Sequence, residues 1–371
     1  MMKRLYAGIA LVLLTLLTTM AAAAQNPYEP VFEPTDCPIF VRVGSVQMDC
    51  GFLVVPEDRN GDPEDTIRIA VAIYRSRSAT PASDPVFFLH GGPADHMLEM
   101  VPYFYRLSFV HLTADRDLVV FDQRGVGLSE PALDCPEFSE IPLDEEIIGL
   151  TVEEVTKRSL DAISACRASL EADFGVNPAA YTTAASAMDI ADLAHVLGYD
   201  TINLYGISYG TQLAQVVMRD NPDLVRAVAL DGVMPLAINF VNEGSRSTAL
   251  ALDEIFTVCA ASPSCSASYP DLEATFYDTV AALDENPQPL TITHPNTGEE
   301  IDIPVGGSEF IISIIMMLRN TEAISQIPRT IDRVANGQVS ALAPLYRMQL
   351  QMSDAGSMSS DGAHLSIMCH E

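Results

Sequence analysis

The sequence predicts an α/β fold, in which a mostly parallel sheet is flanked by helices and followed by a mainly helical cap. Two short apolar runs, VFFL at 86–89 and LVVF at 118–121, each end in a glycine-containing loop. Strands this apolar fit a parallel sheet that is covered on both faces. A third observation is the order strand, turn, helix and strand over 202–230, which is the order of a βαβ unit.

The other core elements follow from the same patterns. Strands are predicted at 51–55 and 67–74, because β-branched residues there are bounded by turn signals. Helices are predicted over 152–171, 183–197 and 211–219. In the helix over 183–197 an apolar stripe faces one way, with Asp189, Asp192 and His195 opposite it. We therefore expect His195 at the surface.

From Pro235 onward the pattern changes to helices interrupted by one hairpin, around 295–298. The helices are predicted at 248–260, 272–283, 310–318 and 324–335. The predicted organisation is a signal peptide at 1–24, a core at 25–235, a cap at 236–360, and a return toward the core at 361–371.

The first 24 residues have the pattern of a secretory signal peptide. Lys3 and Arg4 precede an apolar run at 9–17, and four alanines follow at 21–24. The run is shorter than the roughly 20 residues of a spanning helix, which favours cleavage over a retained membrane anchor. We therefore expect a secreted or periplasmic protein that has no membrane contact after cleavage.

The composition and net charge limit the classes of partner that the protein can bind. The chain has 371 residues, of which 48% are hydrophobic, enough for a core and one or two domains. It carries 50 acidic and 20 basic residues, a net charge of −30, which argues against nucleic acid and anionic membranes as partners. A solubilising acidic surface explains this charge, and a saline habitat or a cationic ligand would also fit.

Seven cysteines suit an exported chain, in which disulfides persist. Sequence alone does not fix their connectivity. Cys369 is left over, either as a free thiol or because its partner is missing. No cysteine–histidine cluster has zinc-site spacing, and we expect neither a metal nor an organic cofactor. The three sequential pairs that each close a modest loop are Cys37–Cys50, Cys135–Cys166 and Cys259–Cys265.

The predicted chemistry centres on the G-x-S-x-G motif at 206–210, which lies between a predicted strand and a predicted helix. A serine on such a sharp turn stands exposed above the sheet, and small flanking residues permit the strained backbone. The helix that follows points backbone N–H groups at developing negative charge. Ser208 is therefore the predicted nucleophile; the alternative is a purely structural turn.

Acyl transfer by Ser208 needs two N–H donors for the oxyanion. Tyr209 is the predicted first donor, and Gly92 is the predicted second, with Gly91 as the alternative. We interpret His90 as a residue that shapes this HGGP loop rather than as the base, because the base comes last in the chain order serine, acid, histidine.

Arg124, in DQRG at 122–125, either binds a carboxylate or holds a turn by pairing with Asp122, and we favour the turn.

The acid and the base are not found by the same reasoning. The downstream histidines are His294, in the predicted hairpin, and His364 and His370, with no core strand after the cap to carry them. Asp231 follows the strand after the motif, where an acid can lie, but Asp231-Gly232 is interpreted as a strand-end turn. The acid and the base are therefore expected beyond residue 371.

Several segments, spread over most of the chain, carry a family resemblance. They are HGGP at 90–93, DQRGVGLS at 122–129, T-x-x-x-x-x-D-I at 183–190, INLYGISYGTQLA at 202–214, LDGV at 230–233, Cys259 and Cys265 with YPDLE at 269–273, and HLSIMCHE at 364–371. Together they resemble the proline iminopeptidase and tripeptidyl aminopeptidase family of α/β-hydrolases. One departure is Ala94-Asp95-His96 after Pro93, where the family continues with two glycines.

The resemblance implies a serine hydrolase that removes N-terminal residues from peptides through an acyl-enzyme at Ser208. In the family the counterpart of 364–371 precedes the strands that carry the acid and base, which implies a truncated and inactive chain. It also implies acidic groups that hold the peptide's N-terminal amine, and Glu371 matches one such position. The alternatives are an esterase or lipase acting on a small ester, and a non-catalytic peptide-binding relative. The oligomeric state is not predicted.

Overall fold

The computed structural model describes residues 28–139, 152–353 and 358–370. The predicted signal peptide and Glu371 lie outside these ranges. Within them, no helix is both long enough and apolar enough to cross a membrane.

Among the described residues, seven strands form one sheet in the spatial order β1-β2-β3-β5-β4-β6-β7. They are β1 (Val31–Thr35), β2 (Met48–Pro56), β3 (Thr66–Tyr74), β4 (Val86–Leu89), β5 (Leu118–Phe121), β6 (Ile202–Ile207) and β7 (Val225–Asp231). Strands β5, β4, β6 and β7 are mutually parallel, and β1, β2 and β3 pair antiparallel at one edge. The predicted mostly parallel α/β sheet is confirmed.

Helices cover both faces of this sheet, because β4 and β5 are apolar and buried along their whole length. The core helices are α1 (Met97–Phe104), α2 (Val110–Leu112), α3 (Pro136–Ser139), α4 (Val152–Asp173), α5 (Thr183–Val196) and α6 (Tyr209–Asp220). One hydrophobic cluster joins the sheet to α5 and α6, and a second joins its other face to α1. A π-helical stretch, Tyr105–Phe109, connects α1 to α2.

Residue contacts divide the chain into two units, with the second beginning after Pro235. Its described part covers 236–353 and Met358, and it has a hydrophobic core of its own. Its elements are α7 (Phe240–Ala261), α8 (Pro263–Ser268), α9 (Leu272–Glu285), the hairpin β8 (Gln288–Thr293) and β9 (Glu300–Val305), α10 (Gly307–Leu318), α11 (Thr321–Ile324), α12 (Ile327–Ala335) and α13 (Ala343–Ser353). The first unit resumes at Ser359 and includes the last described helix, α14 (Asp361–His370).

Strand β1 was not expected from the sequence. It has a proline at position 34, and four of its five residues are exposed, so it lacks the alternation by which a half-buried strand is detected. It forms because its backbone pairs with β2 along its full length, from Val31 opposite Val54 to Thr35 opposite Cys50. The pairing is a long-range feature that no local pattern in β1 reveals.

The three sequential cysteine pairs lie at disulfide distance, as expected, and Cys369 is an exposed free thiol. The Cα–Cα separations are 5.1 Å for Cys37–Cys50, 5.3 Å for Cys135–Cys166 and 5.0 Å for Cys259–Cys265.

Arg124 does not pair with Asp122, so our favoured interpretation of that turn is wrong. Its side chain is 1% exposed, and its Nε and Nη2 each donate to a carboxylate oxygen of Asp189 at 2.7 Å. Its Nη1 donates to the carbonyl oxygens of Glu57, at 2.7 Å, and Ala180, at 2.8 Å. Arg124 therefore ties the β5 end of the sheet to α5 and to two connecting loops.

The polar face of α5 is only partly in solvent. His195 is exposed, as predicted, whereas Asp189 is buried. Arg59, in the loop between β2 and β3, also pairs with Asp189, so two guanidinium groups enclose its carboxylate. Burial is possible because the carboxylate finds opposite charge in place of water.

We expect Asp189→Asn to lower the free energy of unfolding by about 3–5 kcal/mol, because it leaves the buried charge of Arg124 without its carboxylate. The control is Arg167→Ala, which removes an exposed pair with Glu171 and should cost no more than about 0.5 kcal/mol. Urea unfolding of both variants measures the difference. Equal losses would contradict a structural role for the buried pair.

Candidate active site

The turn between β6 and α6 holds Ser208 at φ 54° and ψ −124°. A non-glycine residue with positive φ costs about 1–3 kcal/mol and persists only where its surroundings fix it. The Ser208 N–H donates to the carbonyl oxygen of Asp231 at 2.8 Å, and the Ser208 carbonyl accepts from the Thr211 N–H at 2.9 Å. Ser208 itself is exposed. The strained turn therefore holds a serine at the surface, at the N-terminus of a helix.

Glycines flank Ser208 because other backbone comes too close for a side chain. A Cβ on Gly210 would lie 1.9 Å from the carbonyl oxygen of Leu89, and one on Gly206 would lie 2.4 Å from that of Gly210. A Cβ on Gly91 would lie 3.0 Å from the Cβ of Ser208. The predicted nucleophile and the HGGP loop, which are more than a hundred positions apart, therefore lie against each other.

The HGGP loop makes a tight turn beside Ser208. Gly92 has a φ of 109°, and a Cβ there would lie 2.7 Å from the backbone nitrogen of Ala94. Ala94 is fully buried and also has a positive φ, 74°. The second predicted oxyanion donor, Gly92 or its alternative Gly91, thus lies in a loop next to Ser208. The first, Tyr209, begins α6.

His90 and Asp95 lie at the two ends of this loop. The imidazole Nδ1 of His90 is 3.7 Å from a carboxylate oxygen of Asp95, and its ring lies against Phe88 and Phe104, with centroids 5.9 and 6.2 Å away. Burial lowers the pKa of His90 and raises the pKa of Asp95, in each case disfavouring the charged form. These contacts fit the interpretation of His90 as a residue that shapes the loop.

Asp122 fixes the start of α1, a role that the sequence did not reveal. One of its carboxylate oxygens accepts the N–H groups of Met97, at 2.8 Å, and Leu98, at 2.9 Å, and the other accepts that of Leu128 at 2.9 Å. Burial raises the pKa of Asp122 to about 6, although these bonds act in the opposite direction. Asp122 thereby joins the segment that follows the HGGP loop to its own loop after β5.

Of the three described histidines downstream of Ser208, two bind other groups and one is exposed. His294, in the second unit, accepts N–H groups from Asn296 and Thr297 and so shapes the β8–β9 turn. The Nδ1 of His364 is 3.0 Å from the carbonyl oxygen of Pro93, and His370 is exposed at the end of α14. No base for Ser208 is assigned among the described residues.

Asp231 ends β7 and is followed by Gly232, whose φ is 66°, which fits a strand-end turn. Its carbonyl oxygen holds the Ser208 N–H, and its carboxylate accepts a hydrogen bond from the Tyr205 hydroxyl at 3.3 Å. Asp231 therefore stabilises the turn at Ser208 through a backbone hydrogen bond. Glu371, the predicted amine contact, lies outside the described residues.

Among the described residues, one group of potential metal ligands lies close enough to share an ion: Cys135, Glu137 and Cys166. Its two sulfur atoms are bonded to each other, so they are not free to bind a metal.

A family model described as alpha/beta hydrolase fold matches residues 84–254, which span β4 to the first part of α7 and include Ser208. The strand order and the serine turn agree with that description. This chain has the α/β-hydrolase fold. The loop after β4 and the turn after β6 lie against each other at Ser208.

Curated relatives include a tripeptidyl aminopeptidase of Streptomyces lividans, 29% identical over 192 residues, or 50% of this chain and 35% of that protein. The serine protease Hip1 of Mycobacterium tuberculosis is 23% identical over 334 residues, 86% of this chain and 62% of that protein. The chain thus spans about a third of the first of these relatives and under two thirds of the second.

Solved structures include the proline iminopeptidase of Mycobacterium smegmatis, 16% identical, with a TM-score of 0.35 over 79% of this chain and 68% of that one. An alpha/beta hydrolase from Novosphingobium aromaticivorans is 15% identical, with a TM-score of 0.33 over 72% and 71% of the two chains. At these identities and TM-scores, the two structures support no conclusion about this chain.

We expect Gly210→Ala to lower the free energy of unfolding by at least about 2 kcal/mol, because the new methyl group would overlap the Leu89 carbonyl. Gly244→Ala is the matched control: nothing lies within 4 Å of its added Cβ inside α7, so it should stabilise by about 0.5–1 kcal/mol. Urea unfolding compares them. A Gly210→Ala protein as stable as the parent would rule out this close approach.

A second expectation concerns pH. The folded-state pKa of Asp122 is about 6, and its unfolded value is about 3.9, so the folded state binds the extra proton between these values. The stability linked to this proton, up to about 3 kcal/mol, is present below about pH 4 and is lost as the pH rises through 6. Asp122→Asn cannot titrate there. Urea unfolding from pH 4 to 7 should therefore show a smaller decline in that variant, and identical profiles would refute the raised pKa.

Proposed function

We propose that this protein is a secreted serine hydrolase that removes N-terminal residues from peptides, with Ser208 as the nucleophile. The observation that carries the proposal is the exposed serine on a positive-φ turn, against which Gly91 packs. Such a turn stores strain whose evident use is to present a hydroxyl group.

In the proposed reaction, the Oγ of Ser208 attacks the carbonyl carbon of the scissile bond, and the carbonyl π electrons move to oxygen. The N–H groups of Tyr209 and of Gly92, or alternatively Gly91, stabilise the oxyanion. A histidine base oriented by a carboxylate takes the Ser208 proton and passes it to the leaving amine. A water molecule then attacks the acyl carbon and gives a proton to the same histidine; the bond between the acyl carbon and Oγ breaks, and the histidine returns the proton to Ser208.

Two considerations support a peptidase in particular. The chain resembles proteins named tripeptidyl aminopeptidase and serine protease at 29% and 23% identity. The net charge of −30 suits substrates with a free α-ammonium group, and we propose Glu371 as one contact for that group. Three cysteine pairs at disulfide distance are compatible with an extracellular protein. The proposed localisation is accordingly secreted or periplasmic.

The same fold also serves esterases, so a small ester is the alternative substrate. Labelling with a serine-directed fluorophosphonate tests the nucleophile first. The protein tested is the chain together with the downstream residues that are expected to carry the acid and base. We expect rapid labelling of this parent protein, none of its Ser208→Ala variant, and parental labelling of Ser164→Ala, an exposed serine on α4. No labelling of the parent protein would favour the non-catalytic, peptide-binding alternative.

Substrate class is tested by comparing a tripeptidyl nitroanilide, a prolyl nitroanilide and a nitrophenyl ester. An aminopeptidase should lose at least about tenfold in kcat/KM when the substrate's amine is acetylated, because the α-ammonium contact is removed. Turnover of the ester alone, unchanged by acetylation, would favour the esterase.

A further inference from the structure

A short segment after the second unit, Ser359–His364, contacts residues 93–95, at the end of the HGGP loop and just beyond it; we call it the clamp segment. Ser359 forms an antiparallel bridge with Asp95. The Ser360 N–H donates to the carbonyl oxygen of Ala94 at 3.0 Å. The Nδ1 of His364 lies 3.0 Å from the carbonyl oxygen of Pro93, and because a carbonyl only accepts, this nitrogen carries the proton. Three successive loop residues thus have partners in the clamp segment.

The contact between Ser360 and Ala94 lies at the strained part of the loop. Ala94 has a φ of 74° and no exposed surface, so its conformation must be imposed by neighbours. The bond from the Ser360 N–H to its carbonyl oxygen is one such restraint. Since Gly92 packs against the backbone of Ala94, a shift at Ala94 moves Gly92 as well.

The side chain of Ser360 adds a second connection. Its hydroxyl, fully buried, donates to a carboxylate oxygen of Asp134 at 2.6 Å and accepts the Gly127 N–H at 3.2 Å. The Nε2 of His96 lies 3.1 Å from the same oxygen. A hydroxyl has one proton and two lone pairs, so with its proton on Asp134 it accepts from both Gly127 and His96. Every hydrogen-bonding position of Ser360 Oγ is then used.

The clamp segment is itself held in place. The Gly362 N–H donates to the carbonyl oxygen of Leu133 at 2.8 Å, and a Cβ on Gly362 would lie 2.6 Å from Leu170 and 3.1 Å from the sulfur of Cys135. Ala363 is fully buried in the hydrophobic cluster that contains Leu170 and Cys135. Ser360 is thus fixed between a close-packed anchor and the loop.

We propose that the hydroxyl group of Ser360 positions the oxyanion loop, through its hydrogen bonds to His96 and Gly127, without touching the substrate. The role in catalysis rests on the proposed function, since it presumes that Gly92 or Gly91 stabilises an oxyanion. The effect on the loop's backbone does not depend on that presumption.

The test compares Ser360→Ala with Ser129→Ala. Ser129 is also buried and also makes two hydrogen bonds, to Ala70 and to the Asp122 carbonyl, but it has none with residues 90–96. Amide hydrogen exchange of the peptide covering 90–96, phosphonate labelling of Ser208, and kcat and KM on the tripeptidyl nitroanilide are measured in both variants, along with urea unfolding.

Ser360→Ala keeps the N–H bond to Ala94 and removes the hydrogen bonds of the hydroxyl group. We expect this variant to exchange at least about tenfold faster over 90–96, and to label about 10- to 100-fold more slowly. This slowing is smaller than the decrease in kcat of about 10²–10³-fold that follows the complete loss of an oxyanion donor. The kcat should fall with KM changed less than about twofold, because the loss concerns the transition state. Ser129→Ala should match the parent protein in loop exchange, labelling and kcat even where it unfolds more easily.

Parental exchange over 90–96 in Ser360→Ala would overturn the proposal, as would faster exchange with unchanged labelling and kcat. Equal effects of the two variants would overturn it too, by reducing Ser360 to a general stability contribution. If the parent protein does not label at Ser208, the proposed function fails instead. Loop exchange then decides by itself whether Ser360 sets the loop.

Discussion

The left-handed backbone turn at Ser208, with a φ of 54°, is the feature on which its surroundings depend, because the segments around it come unusually close to one another. Gly210 lies against the end of β4, Gly206 against Gly210, and Gly91 against Ser208 itself. Gly210 and Gly206 have no room for a methyl group, and one on Gly91 would crowd the Cβ of Ser208 at 3.0 Å. The parallel strands β4 and β6 are paired side by side, which brings the loop after one against the turn after the other. Sheet pairing and the proposed chemistry therefore depend on the same three glycines.

Much of this arrangement could be predicted from the sequence, since its signals are local. VFFL and LVVF identify buried strands, and the glycines on each side of Ser208 identify the turn. The three disulfide pairs followed from order along the chain and are confirmed. Strand β1 was missed because its partner, and not its composition, determines its structure. The predicted roles of Ser208, Tyr209 and Gly92 stay predictions.

The buried charges could not be predicted, for a related reason. Asp122 and Arg124 are two residues apart, and that spacing suggested a pair, yet each has its partner elsewhere. Arg124 binds Asp189, which is 65 positions away, and Asp122 binds backbone N–H groups of α1. A charged residue after a buried strand indicates that an opposite charge or a hydrogen-bond partner lies near it. Which residue provides that partner depends on the fold and cannot be seen from the local sequence. Ser360 was missed likewise, since its neighbours Ala94, His96 and Asp134 lie over 220 positions upstream.

This separation has a consequence for the order of biosynthesis. A chain made from its N-terminus produces Ser208 and the HGGP loop early, but Ala94 finds its partner only after the residues around 360 have been synthesised. Until then, the loop beside Ser208 lacks hydrogen bonds that hold its strained backbone. A chain that is still being synthesised would thus carry this loop without its restraints. The loop beside Ser208 would therefore reach its final geometry only when the segment around residue 360 has been synthesised and has packed against it.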